Sequence, residues 1–209
     1  MKAPDFAYLR PASLDEAFAA LSLHGDDARI LAGGQTLMAL QNLRMASAEV
    51  LVDINRIPGL SDIREEAGGL AIGALVRHAA IETSALIARR VPLLRDAARH
   101  IAHPAIRNRG TIGGSLALSD PAAEMPACAL ALGAELELSA AEGVRRVSAD
   151  DFFLGLYETA LRPTEILTAI RFPKTSANHV HAFDEIARRR GDFALAGLAI
   201  SAVRDAVTL

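Results

Sequence analysis

Helices and strands alternate along this sequence in short blocks, which predicts a mixed fold built either as two small lobes or as one subdivided core. Three observations carry that expectation. A capping box opens an apolar helix near the N-terminus, two short apolar strands flank a Gly-Gly turn, and a later stretch reads as a hairpin followed by helices and further strands.

The first segment, 1–56, reads as a small αβ unit. In Ser13-Leu14-Asp15-Glu16 the serine bonds first-turn amides and the glutamate returns to the cap, ahead of an apolar helix through Ala17, Leu21 and Leu23. The short strand Ala28-Arg29-Ile30-Leu31 follows, then the Gly-Gly turn, a helical stretch over 37–43 and a strand over 50–54. The second segment, 57–176, opens near Ile57-Pro58-Gly59. Stretches 60–64 and 70–74 pair as a hairpin, helices are predicted over 78–89, 92–101 and 122–132, and strands over 135–139, 144–148 and 166–172. The remainder, 177–209, looks like a strand and the start of something larger. Its apolar run Ala199-Ile200-Ser201-Ala202-Val203 needs a partner surface, and Leu209 ends the chain six residues later, so a truncated C-terminal domain is expected here.

Composition narrows the function classes. With 22 Lys+Arg against 25 Asp+Glu and a net charge of −3 in 209 residues, there is no electrostatic case for nucleic acid. No apolar run approaches the roughly 18 to 20 residues that span a bilayer, and no apolar signal core follows Met1-Lys2-Ala3-Pro4-Asp5, so a soluble cytoplasmic protein without a transmembrane segment is expected. Cys128 is the sole cysteine, which leaves neither a disulfide nor a Cys-ligated iron–sulfur cluster within this chain; any such cluster must sit on a partner.

The chemistry points to two glycine pairs. Ala32-Gly33-Gly34-Gln35-Thr36 lies between an apolar strand and a helical pattern, where successive backbone N–H groups can converge on an anion and glycine lets a phosphate oxygen approach the main chain. Thr111-Ile112-Gly113-Gly114-Ser115 repeats that chemistry, with a hydroxyl at each end. Two such turns suit the two phosphates of a dinucleotide. Neither has a Gly-Lys-Ser/Thr ending and neither matches Gly-x-Gly-x-x-Gly, so NTP hydrolysis and a Rossmann NAD site lose support; each pair taken alone also reads as an ordinary tight turn. His100 and His103 bracket the segment before the second pair, but no carboxylate or thiol nearby in sequence completes a metal site, and no Ser/His/Asp arrangement is visible.

Longer strings decide between these readings. Ala32-Gly33-Gly34-Gln35-Thr36-Leu37 and Arg107-Asn108-Arg109-Gly110-Thr111-Ile112-Gly113-Gly114-Ser115 closely resemble the paired flavin-binding signatures of the medium subunit of molybdenum hydroxylases, the family of aerobic carbon monoxide dehydrogenase and xanthine dehydrogenase. Asp120-Pro121-Ala122-Ala123-Glu124-Met125-Pro126 and Ala187-Arg188-Arg189-Arg190-Gly191-Asp192-Phe193-Ala194 continue the resemblance in the family's order. It implies an α+β chain with the PCMH-type FAD-binding fold: two αβ subdomains, 1–56 and 57–176, with the cofactor between them, plus an incomplete C-terminal α+β piece over 177–209.

By resemblance, Ala32, Gly33, Gly34, Gln35 and Thr36 clasp the FAD pyrophosphate with Thr111, Ile112, Gly113, Gly114 and Ser115, and Leu31 and Leu37 flank the cofactor. Glu124 stands where the family usually has a shorter acidic residue on the ribose; a solvated first-turn helix residue is the competing account. Ile101 matches an apolar position over the flavin and Leu167 one near the adenine, while helix-core packing and a plain strand residue explain them equally well. The Arg188-Arg189-Arg190 run belongs near the flavin or at a subunit interface, or is simply solvated.

The implied activity is an electron relay. A large partner subunit carrying molybdopterin hydroxylates a small molecule, a small partner subunit carrying iron–sulfur clusters passes electrons to FAD in this chain, and an external acceptor takes them away. No protein nucleophile, general base or metal ligand is required of this chain. Two other readings stay open: a stand-alone FAD-dependent oxidoreductase of the same fold, and an assembly or scaffold protein that has lost the cofactor.

Overall fold

The structure, a computed structural model, describes residues 2–46, 48–176 and 178–204. The C-terminal piece expected over 177–209 is therefore described from Asn178 to Arg204, and Ala177 and 205–209 lie outside the described residues.

In the first lobe β1 (Ala7–Leu9), β2 (Ala28–Leu31) and β3 (Val50–Asp53) form a parallel sheet in the order β1-β3-β2. β3 is central and buried along its length, which is why its apolar run does not alternate with polar residues. The helix α1 (Leu14–His24) starts at Ser13, whose hydroxyl accepts the Glu16 N–H at 3.2 Å, and it buries Ala17, Phe18 and Leu21. The Glu16 carboxylate reaches back one residue further than a capping box requires, accepting the Ala12 N–H at 2.8 Å. Leu23, expected on the apolar face, is exposed: the stripe runs through 17, 18 and 21 instead. A second helix, α2 (Leu37–Asn42), follows the first glycine pair.

The second lobe is built on an antiparallel sheet of β4 (Ile63–Glu66), β5 (Gly69–Gly73), β6 (Glu135–Ala140), β7 (Gly143–Ser148) and β10 (Ile166–Pro173), in the order β4-β5-β10-β6-β7. Its helices are α3 (His78–Thr83), α4 (Ala85–Arg90), α5 (Pro92–Ala98), α6 (Pro104–Arg107), α7 (Ile112–Leu118), α8 (Glu124–Ala131) and α9 (Ala149–Phe152). A short pair, β8 (Phe153–Gly155) and β9 (Glu158–Thr159), precedes β10. The helix expected over 78–89 is two helices because Ser84, extended at φ −67 and ψ 120, caps the second by accepting the Ile87 N–H.

The last described elements form a hairpin of β11 (His179–Ala187) and β12 (Ala194–Val203), packed on α5 and α8. Phe183 meets the edge of the His100 ring at 5.2 Å, and His181 Nε2 lies 3.2 Å from Asp96 Oδ2. The opposite face presents Val180, Ile186, Leu198 and Ile200 to solvent.

Two apolar clusters hold the structure together. The larger lies between the five-stranded sheet and α3, α5, α7 and α8. The smaller joins Phe18, Leu21, Val50 and Val52 of the first lobe to Leu60, Leu75 and Ile166 of the second, so the lobes meet through a continuous interior.

Candidate functional site

The two glycine segments, far apart in sequence, touch at the seam between the lobes. A β-carbon built on Gly33 would stand 2.4 Å from the Arg109 carbonyl oxygen and 2.9 Å from the Gly110 α-carbon, so only glycine permits this approach. One built on Gly114 would stand 4.0 Å from the Ala32 β-carbon. The antiparallel bridge between Arg77 and Thr111 and the bond from His78 N–H to the Gly110 oxygen at 3.1 Å stitch the second segment to the start of α3.

The first segment is a true turn. Gly34 has φ +72, a left-handed conformation that a side chain resists, and Gln35 Nε2 donates back to the Gly33 oxygen at 3.2 Å. Among the described residues, none accepts a hydrogen bond from the backbone N–H of Gly33, Gly34, Gln35 or Thr36. Leu31 and Leu37 stand half-buried on either side. The turn therefore offers a run of donors with an apolar flank.

The second segment differs from the expectation of a matching amide cradle. It is the opening of α7, with Thr111 as its cap, and its donors are occupied: Ile112 and Gly113 donate to the oxygens of Val76 and Ala74, Gly114 to Thr111 Oγ1 at 3.1 Å and Ser115 to the Thr111 oxygen. Gly113 and Gly114 are not left-handed; Gly113 is needed because a β-carbon there would lie 2.4 Å from that of Ala74. What this segment presents is an exposed Gly114 and the half-buried Ser115 side chain.

The more distant candidates divide. Ile101 and Leu167 are buried in the large core. Glu124 begins α8, half-buried, and burial pushes its carboxyl up to about 7, with Glu185 and Asp120 adding to the shift. His100 gains a carboxylate that the sequence places far away, since the hairpin brings Glu185 Oε1 to 3.4 Å from His100 Nδ1, while Glu185 Oε2 is buried without a partner. Arg188, Arg189 and Arg190 are exposed at the hairpin tip, with Arg189 paired to Asp192 at 3.3 Å. Among the described residues no group of three or more His, Cys, Asp or Glu is placed to hold a metal ion, and no helix is long and apolar enough to cross a membrane.

One feature of the seam has no signal in the sequence. Asn55 Nδ2 donates to the Ala32 oxygen at 2.8 Å and to Asp53 Oδ1 at 2.6 Å; its Oδ1 accepts from Arg77 at 2.6 Å, and Arg77 also donates to the Arg109 oxygen. Tyr8 donates to the other Asp53 oxygen, and Arg10 lies 3.6 Å from it. Burial alone would raise the Asp53 pKa, but the bonds from Tyr8 and Asn55 outweigh it and hold the carboxyl below its ordinary value.

A run of donors at a seam between two αβ lobes, closed by a glycine-rich helix start, defines a dinucleotide-binding protein of α+β class. Residues 4–175 match the family model described as the FAD binding domain in molybdopterin dehydrogenase, and the chain belongs to that family. The chain is 45% identical over 199 residues to the 6-hydroxypseudooxynicotine dehydrogenase complex subunit alpha of Paenarthrobacter nicotinovorans, covering 95% of this chain and 67% of that protein. It is 43% identical over 201 residues to the caffeine dehydrogenase subunit beta of Pseudomonas sp. (strain CBB1), covering 96% and 68%. Among solved structures, a carbon monoxide dehydrogenase of Hydrogenophaga pseudoflava that lacks the Mo-pyranopterin moiety superposes with a TM-score of 0.97 at 43% identity, over 100% of this chain and 72% of that one. This chain thus spans about two thirds of the length of such relatives. It is an FAD-binding chain of the molybdenum hydroxylase medium-subunit type, and an oxidoreductase component.

Proposed function

We propose that this chain is the FAD-binding, electron-relaying subunit of a molybdenum-containing hydroxylase or dehydrogenase. It takes electrons from iron–sulfur clusters on a small partner subunit, which are supplied by substrate oxidation on a molybdopterin-bearing large subunit, and delivers them to an external acceptor in the cytoplasm. The observation that carries this reading is the first turn: among the described residues none accepts from the N–H groups of Gly33 to Thr36, Gly34 is left-handed, and Ala32, where the turn begins, has its β-carbon 4.0 Å from the position of one on Gly114.

The residues fit a diphosphate. The N–H groups of the turn would donate to its oxygens and supply fixed positive partial charge, while the hydroxyl of Ser115 would add a donor from the opposite lobe. Leu31 and Leu37 cover the sides of the turn and exclude water. Glu124, at the start of α8, is the candidate to meet the ribose; with its carboxyl pushed up to about 7, it is able to donate as well as to accept. Ile101 and Leu167, both core residues, would serve through the walls that they support. When bound, FAD supplies one- and two-electron redox chemistry; the protein supplies position, dielectric and hydrogen bonds. We assign 1–56 and 57–176 as the two FAD-binding subdomains and 177–209 to a C-terminal domain.

The test is an absorption spectrum of the purified chain, followed by titration with FAD. A yellow protein, or a colourless one that binds one FAD per chain, supports the reading. A chain that neither carries nor binds FAD overturns it.

A further inference from the structure

We propose that Asn55 and Arg77 are positioning residues that set the separation of the two glycine segments, and through it the grip on the FAD diphosphate; this rests on the function proposed above.

The geometry of the contact leads to them. Gly33 lies against the Arg109 carbonyl, and the residue before Gly33 is Ala32. Asn55 holds the Ala32 oxygen at 2.8 Å, while Arg77 holds the Arg109 oxygen, and the two side chains are joined to each other at 2.6 Å. The bonds thus form a bridge from the Ala32 carbonyl of the first segment to the Arg109 carbonyl of the second, alongside the glycine contact. Asn55 is suited to the middle because its amide is donor and acceptor at once: the nitrogen serves the first turn and the oxygen receives Arg77. Asp53 anchors this amide from below through its Oδ1, at 2.6 Å from Nδ2 and 2.9 Å from the backbone nitrogen, and is itself held by Tyr8 and Arg10. Arg77 is the other bivalent member, since its guanidinium reaches two acceptors in one plane.

The charge balance of the bridge points toward an anion. Burial and then repulsion from Arg109 hold the Arg77 guanidinium below its ordinary value, although it stays charged. Asp53, the nearest compensating carboxylate, already serves Tyr8, Asn55 and Arg10. A dianionic diphosphate on the first turn would relieve the repulsion between Arg77 and Arg109. The apolar contact through Leu60, Leu75 and Ile166 joins the lobes without the bridge, so loss of the bridge alters the spacing of the walls rather than the fold.

The test uses the full chain stripped of FAD and titrated separately with FAD and with ADP, which carries the diphosphate without the flavin ring, with melting of the apoprotein measured in parallel. In Arg77→Met and Asn55→Leu both dissociation constants are expected to rise by about tenfold or more, while the apoprotein melts within a few degrees of wild type. Arg77→Lys, which keeps the charge and one donor, should recover part of the affinity. The proposal is overturned if Arg77→Met and Asn55→Leu bind both ligands as wild type does, if affinity falls only in step with melting temperature, or if FAD binding falls and ADP binding does not. Wild-type protein that binds neither ligand would instead overturn the assignment of FAD itself.

Discussion

Gly33 and Arg109 are in backbone contact across the lobe seam, with the position of a Gly33 β-carbon only 2.4 Å from the Arg109 oxygen. Because the obstructing atoms are main chain, no rotamer change relieves the overlap. Gly33→Ala should therefore push the two segments apart and destabilise the protein by about 2 kcal/mol. Urea unfolding of the purified variant checks this; a midpoint equal to that of wild type would show that the walls do not meet as described.

Gly34 makes a different demand. Its φ of +72 costs a residue with a β-carbon roughly 1 kcal/mol, and the nearest atom to such a β-carbon is a flexible Leu31 methyl at 3.1 Å. Gly34→Ala should lose about that much stability, and Gly34→Asn less, since asparagine tolerates the left-handed region. Thermal melts of the two variants rank them; equal losses would remove the conformational explanation.

At Gly114 stability and binding should separate. The residue is exposed, and its β-carbon would project between Thr111 Oγ1, at 2.9 Å, and Ala32, at 4.0 Å. Gly114→Val places two methyl groups between the start of α7 and Ala32 and disturbs one cap bond, a cost of about 1 kcal/mol. FAD content should collapse while far-ultraviolet circular dichroism stays unchanged. Full flavin content in this variant would place the diphosphate elsewhere.

Two opposed contributions, from His78 and Glu124, bear on the stability of the FAD-free chain between about pH 4 and 7. His78, buried with its ring against Gly110, is held down at about 4, so its contribution is present above pH 6.5 and is lost as pH falls through 4. Glu124 is raised to about 7, so its contribution is full below about pH 4.5 and is lost as pH rises through 7. Between roughly pH 4.5 and 6.5 the two slopes cancel. Glu124→Gln removes one of them: its stability relative to wild type should climb from about pH 4.5 to 7 and then level off, with a total gain of at most about 3 kcal/mol. Denaturant titrations at several pH values measure that difference, and a constant offset between the two proteins would show that Glu124 does not titrate near neutrality.

Much of the fold was legible where side-chain pattern and local propensity agree. The runs at Val50-Leu51-Val52 and Ile166-Leu167-Thr168-Ala169-Ile170 become the central strands β3 and β10, since strands covered on both faces need unbroken apolar sequence. The break at Ser84 was hidden because a single serine does not interrupt helical periodicity. The helix at Thr111-Ile112-Gly113-Gly114-Ser115 was hidden for the opposite reason: two glycines weaken local helix preference, and packing against Ala74 and Val76 overrides it. The bridge of Tyr8, Asp53, Asn55 and Arg77 was illegible because Tyr8 reaches Asp53, 45 positions away, only once β1 pairs with β3, and Arg77 reaches Asn55, 22 positions away, only once the second lobe is in place. Ile101 and Leu167 read from their apolar neighbours as interior residues, and both are buried in the large core.

Leu60, Leu75 and Ile166 give the lobes a common interior with Phe18 and Val52. Halves welded in this way do not swing apart like a jaw, because opening the hinge would expose that oil-filled joint to water.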